Sequence, residues 1–535
     1  MIQRENLYSK LLASALPLTI LSLSAQSSQT TNSSNAHQRP NIILFMVDDQ
    51  GWQDTSHPFW SEKTALNEIY RTPSMERLAA KGVTFTAAYA SAVSSPTRTS
   101  LMTGMNPSAH RVTTWTREKD SPTDSRENST LIFPEWNYNA LQPIGSGINN
   151  SLEALPFTSI LQSAGYKTIH CGKAHWGASG TPGSNPLNLG FDVNIAGYEA
   201  GSPASYLASE NFGYDENRKA TSRFIIPGLE KYWGSDLFLT EILTIEAKMA
   251  IDSALTQGNP FYLYMSHYAI HTPLDKDDRF YDSYIERGLD DRQARYASLI
   301  EGMDKSLGDL MDHLEQREIA ENTVIIFMSD NGGLSLRARS GVPNTHNLPL
   351  NSGKGSAYEG GVRVPMIAYM PNVSPMGERC STPVSIIDFF PSILDIASVE
   401  VYETPQRVDG ISLLPLIKNP AVRPREFDRA LIWHYPNRWV DMASPKGNGY
   451  GVYSAIQKDG WKLIHYYDHN ITELFNLNDD IGERVDLSNS PSCREIRDRL
   501  ASELTVRLKG DKAQLPMRLD GVPCLYPDGS LYVVE

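Results

Sequence analysis

Four short apolar runs, each broken off by polar residues, constrain the fold of this chain most. Residues 41–47 run into Asp48-Asp49-Gln50-Gly51, and residues 166–171 into Gly172-Lys173-Ala174-His175. Residues 261–266 lead to His267 and then His271-Thr272-Pro273, and residues 323–328 run into Ser329-Asp330-Asn331-Gly332-Gly333. A continuous apolar run without alternation is the pattern of a strand buried on both faces. Helical patterns lie between these runs, at 74–81, 239–255 and 292–316. Strands alternating with helices predict an α/β fold with a large, mostly parallel sheet flanked by helices. Ligands of such sheets bind outside the carboxyl ends of the strands. Those ends carry Asp48, Asp49, Lys173, His175, His271, Asp330 and Asn331, so all seven are expected on one rim.

Asp48, Asp49, Asp330 and Asn331 offer hard oxygen ligands, with no thiolate or imidazole among them. That set suits Ca²⁺ or Mg²⁺ rather than Zn²⁺. D-D-Q-G and S-D-N-G are each good turn sequences on their own. Two such pairs, each closing a buried strand, point to a metal site. A second group is cationic: Arg98, Lys173, His175, His271 and Lys354, the last in the Gly-flanked loop Ser352-Gly353-Lys354-Gly355. A divalent ion beside these cations suits a tetrahedral oxyanion.

The run Ser94-Ser95-Pro96-Thr97-Arg98-Thr99-Ser100-Leu101-Met102-Thr103-Gly104 sets a small nucleophilic side chain ahead of a stretch with helical spacing. Free N–H groups at a helix N-terminus favour an anion there. S-x-P-x-R followed by L-x-T-G closely resembles the signature of the formylglycine-dependent (type I) sulfatases of the alkaline-phosphatase superfamily. The resemblance continues in the family's order over residues 40 to 490. Asp48-Asp49 and Ser329-Asp330-Asn331-Gly332 resemble its calcium-binding carboxylates and amide. Gly172-Lys173-Ala174-His175-Trp176-Gly177 looks like its G-K-x-H-x-G element. His271-Thr272-Pro273 and Gly353-Lys354-Gly355, followed by Tyr358-Glu359-Gly360-Gly361-Val362-Arg363-Val364-Pro365, match its sulfate-binding elements.

The resemblance implies that Ser94 is oxidised after translation to formylglycine (3-oxoalanine), whose hydrate attacks sulfur in line. It implies that Arg98 and the metal hold that hydrate, and that Asp330 and the metal help deprotonate it. Lys173, His271 and Lys354 would hold the sulfate oxygens. Either His271 or Lys354 would protonate the departing alcohol, and His175 would deprotonate the second hydroxyl to expel sulfate. Two features depart from the pattern. Serine replaces the commoner cysteine at position 94, which calls for a serine-type sulfatase-maturating enzyme as partner. The lysine–histidine element reads K-A-H-W where K-W-H-L is common.

Composition bounds the rest. A chain of 535 residues accommodates a catalytic domain at 40–424 and a smaller antiparallel α+β domain at 425–535, with an alternating strand at 461–466 and a terminal helix around 492–509. The net charge of −14 argues against a nucleic-acid-binding surface, though not against an anionic substrate in a locally cationic pocket. Arg4 and Lys10 followed by an apolar stretch ending at Ala25 read as a secretory signal peptide, 1–25, with a disordered lead-in at 26–39. No other run is long and apolar enough for stable membrane insertion. The expected setting is therefore periplasmic or secreted. The four cysteines lack metal-ligand spacing; Cys493 and Cys524 could pair or stay free.

Specificity is expected in the loop-like segments 113–150 and 178–235, which hold Trp115, Trp136, Tyr138, Tyr198, Tyr206 and Tyr214. Thr345, His346 and Asn347 are candidate sugar contacts. The leading reading is a sulfatase acting on a sulfated saccharide. Two others compete with it: a phosphatase or phosphodiesterase using unmodified Ser94, and a non-catalytic protein that binds sulfated glycans.

Overall fold

Alternation within a single buried strand organises the molecule. In the computed structural model, which describes residues 39–126, 129–335, 345–439 and 447–532, every residue of β1 (Asn41–Val47) is buried. Ile43, Phe45 and Val47 face one core, and Ile42, Leu44 and Met46 face the other. Both faces must therefore be covered, and helices cover them.

The large sheet adds β2 (Val83–Tyr89), β3 (Lys167–Gly172), β4 (Val193–Ile195), β5 (Phe261–Ser266), β6 (Thr323–Ser329), β7 (Arg363–Tyr369), β8 (Glu378–Cys380) and β9 (Val384–Ser385). Its order is β8-β2-β7-β6-β1-β5-β3-β4, with β9 also pairing β2. β1 runs parallel to both β5 and β6, and β3 runs parallel to β4 and β5. β7 is antiparallel to both its neighbours. The four strands read from the sequence thus lie side by side as β6-β1-β5-β3, with their carboxyl ends on one rim.

On one face pack α1 (Pro73–Lys81), α4 (Leu239–Thr256) and α5 (Asp291–Gln316). On the other pack α2 (Ser94–Thr103), α3 (Phe157–Ser163) and α6 (Phe389–Ile396). α2 ends at Gly104, whose φ of 70° is left-handed. A Cβ there would lie 2.8 Å from Val408 and 3.0 Å from Phe390, so the glycine of L-x-T-G is required twice over.

A second, antiparallel sheet follows: β10 (Leu431–Tyr435), β11 (Tyr453–Lys458), β12 (Trp461–Tyr466) and β13 (Ile471–Asn476). Ile432, Ile456, Leu463 and Leu474 pack with Leu500, Leu504 and Leu508 of α7 (Arg494–Gly510). Their neighbours Trp433, Ala455, Ile464 and Phe475 pack with Tyr89, Tyr358 and Val362 of the large-sheet region. The terminal helix begins two residues later than the sequence suggests, because Pro491–Cys493 forms a separate 3₁₀ turn.

A buried ionic network joins the two sheets. Lys462 Nζ lies 3.0 Å from Glu359 and 2.9 Å from Glu483, while Arg363 and Tyr89 reach the other oxygen of Glu359 at 3.1 and 2.9 Å. Burial pushes Glu483 up to about 8 even with Lys462 pulling the other way.

The long loops mostly anchor themselves. Trp136 and Tyr138 meet edge to face at 5.8 Å, Tyr206 stacks on Phe238 at 5.3 Å, and Tyr214 packs on Trp233 at 4.9 Å. All four cysteines are free thiols, so Cys493 and Cys524 are not paired. Among the described residues, no helix is long and apolar enough to cross a membrane. The expected leader, and the lead-in up to residue 38, lie outside the described residues.

Lys462→Met would leave Glu359 and Glu483 buried beside one another with a single cation. Urea unfolding should show a loss of about 3–5 kcal/mol. A loss near zero would mean the network does not hold the sheets together.

Candidate active site

The strand ends on the rim deliver their side chains as the sequence suggests. Successive side chains of an extended strand point to opposite faces. At the end of β1 the chain breaks this rule, because Asp49 adopts a left-handed φ of 65°. Aspartate tolerates that conformation better than most residues. Both consecutive carboxylates can then serve one cluster: ligand atoms of Asp48, Asp49 and His271 all lie within 4.8 Å of one another. Asp330 and Asn331 join from the end of β6: the Asp49 N–H donates to Asp330 Oδ1 at 3.3 Å, and Asn331 Nδ2 donates to Asp49 Oδ1 at 2.7 Å.

Ser94 opens α2 and is only 2% exposed. Its Oγ receives a hydrogen bond from Lys173 Nζ at 3.1 Å and lies 3.4 Å from Asp48 Oδ1 and 3.3 Å from Asn331 Oδ1. Lys173 also bonds Asp48 Oδ2 at 2.6 Å, and Lys354 bonds Asp49 Oδ1 at 2.5 Å. The Lys354 loop is held from the C-terminal region. Ser352 and Ser356 hydroxyls donate to the Asn448 carbonyl, and the Ala357 N–H donates to that of Gly449.

Arg98 is fully buried, and its bonds go to the frame of the cluster. Nε and Nη2 meet Asp330 Oδ2 at 3.0 and 2.9 Å, and Nη1 reaches the Lys173 carbonyl, Tyr264 Oη and Ser266 Oγ at 3.1, 3.3 and 2.6 Å. It therefore fixes Asp330 and Lys173. The sequence gives no sign of the supporting roles of Tyr264 and Ser266, beyond hydroxyls on alternate residues of an apolar strand.

Burial dominates the electrostatics. Reinforced by Asp330, it pushes Asp48 up to about 8. It works against ionisation of Asp49 and Asp330 too, yet Lys354 and His271 hold the first below the usual carboxylate range, and Arg98 and Lys173 do so for the second. Burial pulls Lys173 down to about 8 and, aided by Lys354, His271 to about 3. A divalent cation would hold Asp48 ionised, so that three carboxylates would face Arg98, Lys173, Lys354 and the ion, leaving two positive charges for an anionic ligand. The donor set of Asp48, Asp49, Asp330 and Asn331, dehydrated and oxygen-only, fits a hard divalent cation.

His175, with φ of 59°, places Nε2 2.9 Å from the Thr116 carbonyl. That bond assigns the proton to Nε2 and leaves Nδ1, buried and without a hydrogen-bond partner, as a free lone pair. Burial, with Lys173 next, holds its pKa well down. His271 lies 3.6 Å from Asp49, and its loop is tied to Tyr206, whose hydroxyl is 2.8 Å from the His271 carbonyl. Ser94, His175, His271 and Lys354 line one pocket with Trp115, Gly201, Phe224 and Trp439. The last three are loop residues without a local sequence signal. Thr345 and Asn347 are buried in the wall instead. Thr345 Oγ1 donates to Asp54, and Asn347 bonds the backbone of Gly333 and Ser352, which leaves His346 as the exposed member.

Residues 40–399 match the sulfatase family model, and residues 353–509 match that of the N-sulphoglucosamine sulphohydrolase C-terminal region. The chain belongs to the sulfatase family, and it is a sulfuric ester hydrolase. It is 30% identical to a sulfatase of Formosa agariphila over 86% of each chain. It is 28% identical to N-acetylgalactosamine-6-sulfatase of Mus musculus, covering 90% of this chain and 88% of that one. Among solved structures it is similar to Ps i-CgsB in complex with k-i-k-neocarrahexaose. There the TM-score is 0.67 and the identity 27%, covering 88% of this chain and 93% of that one.

Gly201 bears on the orientation of His175. A Cβ at Gly201 would lie 2.5 Å from His175 Cε1 and 2.9 Å from both ring nitrogens. Gly201→Ala should therefore displace the ring from the Thr116 carbonyl and lower kcat for sulfate release by about tenfold or more. An unchanged kcat would show that the ring orientation does not matter.

Proposed function

We propose that the chain removes sulfate from a sulfated saccharide, with Ser94 oxidised to formylglycine and Ca²⁺ held by Asp48, Asp49, Asp330 and Asn331. The observation that carries this reading is the setting of Ser94. It begins a helix at the floor of a pocket, with its Oγ between one lysine and two oxygen donors of the acidic cluster. The saccharide follows from the relatives named above, one an N-acetylgalactosamine-6-sulfatase and one solved with a neocarrahexaose.

Adding water to the aldehyde would put two oxygens on one carbon, one to attack sulfur and one whose deprotonation expels sulfate, and the cation would supply Lewis acidity. The side chains do the rest. Lys173, already on Ser94 Oγ, holds the oxygen at this position and faces the developing negative charge. Lys354 and His271, which line the same pocket as Ser94, bind sulfate oxygens, and one of them protonates the departing alcohol. Arg98 acts through others: it keeps Asp330 and the Lys173 backbone in register. His175 accepts, on Nδ1, the proton whose removal expels sulfate. A serine-type maturase, an exported location, the leader at 1–25 and a domain boundary near residue 425 belong to the same reading.

The protein should be produced with a serine-type maturating enzyme, and the peptide containing residue 94 weighed. A peptide lighter by two hydrogens is expected. Unmodified serine in a preparation that still releases sulfate would overturn the aldehyde mechanism.

Calcium should raise Tm after chelation, with stabilisation of about 2.7 kcal/mol at a hundredfold excess over Kd. Asp49→Asn should abolish most of that response. A Tm indifferent to calcium would remove the ion from the site.

Loss of the general acid should harm a sugar sulfate far more than an aryl sulfate, whose leaving group needs no proton. Comparing His271→Ala with Lys354→Ala on both substrates assigns the role, and equal losses on both by both variants would exclude it for either residue.

A further inference from the structure

Beside the Ser94 pocket lies a second hollow, lined among others by Arg117, Glu118, Glu199 and Arg223. Trp115, Gly201 and Phe224 line both hollows. The two are therefore adjoining compartments that share walls, and a ligand with its sulfate at Ser94 has this hollow as its neighbour. Its walls come from the two long irregular segments that the sheet does not need, around 115–118 and 199–224.

The polar groups of the hollow are incompletely matched. Arg223 Nη1 bonds Glu118 Oε1 at 2.7 Å. Arg117 Nε itself is shielded and without a hydrogen-bond partner, with the same Glu118 oxygen 3.6 Å away, while the side chain as a whole is 32% exposed at the mouth of the hollow. The Arg117 guanidinium lies 5.9 Å from the Trp115 ring centroid. A buried N–H left without an acceptor is costly, and a ligand oxygen would relieve it. Two guanidiniums and two carboxylates cancel in charge, so this lining differs from the cationic pocket next door. Donors, acceptors and aromatic walls in balance suit a hydroxyl-rich, uncharged ring.

We infer that this hollow binds the uncharged sugar next to the one carrying the scissile sulfate. The substrate is then a sulfated oligosaccharide or polymer, and not a monosaccharide sulfate. Arg117 and Arg223 are its specificity residues, acting on the neighbouring ring and not on sulfate. The inference rests on the sulfatase reading of the Ser94 pocket. Thr116, between Trp115 and Arg117, carries the carbonyl that orients His175, so an occupant of the hollow bears directly on the segment that sets the base.

The test pairs hexasaccharides of carrageenan, chondroitin sulfate and heparan sulfate with the monosaccharide sulfates they contain, using the matured full-length protein. For the carrageenan pair, whose neighbouring ring is uncharged, kcat/KM should favour the hexasaccharide by about tenfold or more. The same preference on chondroitin sulfate or heparan sulfate, whose neighbouring ring is a uronate, would overturn the assignment to an uncharged ring. Arg117→Ala and Arg223→Ala should each erase most of that preference by raising KM for the hexasaccharide. A purely structural role would lower kcat on both substrates together with Tm. Equal rates on both members of the pair, a preference that survives in both variants, or a gain from sulfating the neighbouring ring would overturn the inference. Absence of sulfate release from every pair would overturn the sulfatase reading itself, and this inference with it.

Discussion

Three carboxylates and three cations, all nearly without water, meet at the carboxyl edge of one sheet, and the rest of the molecule is arranged around that fact. Each charge would be prohibitively costly to bury alone. Asp48, Asp49 and Asp330 are tolerated because Lys173, Lys354 and Arg98 approach them from three different parts of the chain. Four parallel strands hold the donors in place, and helices on both faces keep solvent away from the strands beneath. Burial also strengthens every interaction an incoming anion would make, because little water remains to screen it.

A second ionic cluster repeats the device for a different purpose. Around Lys462 and Glu359 the charges are again paired and buried. They lie at the seam between the two sheets, among Tyr89, Arg363 and Glu483. The Glu359-Gly360-Gly361-Val362-Arg363 part of the sequence motif is thus structural, although it follows the Lys354 loop by only a few residues.

The parts of this architecture that depend on local pattern were legible in the sequence. The bounds of β1 and β5 match the apolar runs, and the helical patterns at 74–81, 239–255 and 292–316 lie within α1, α4 and α5 to a residue or two. The polar residues ending these strands converge because parallel strands share a direction. What the sequence did not reveal depends on tertiary approach. Arg98, one turn after Ser94, bonds Asp330 and a distant backbone carbonyl, a choice set by β3 and β6 and not by helix geometry. Thr345 and Asn347 sit in a polar loop that resembles a ligand contact, yet their side chains bond the chain itself. Trp136, Tyr138 and Tyr206 are inward anchors, whereas Trp115 faces the cleft; no periodicity in an irregular loop separates the two fates.

The ties between the Lys354 loop and residues 448 and 449 have a consequence for biosynthesis. The carboxylates, Ser94, Lys173 and both histidines all lie in the first two-thirds of the chain, and strands carrying them can pair as soon as they emerge. The loop bearing Lys354 has no such independence, since its serine hydroxyls and Ala357 N–H close on carbonyls made roughly ninety residues later. A nascent chain would therefore carry a nearly complete but unclosed centre until residues 448 and 449 emerge, and that later segment is the one that shuts it.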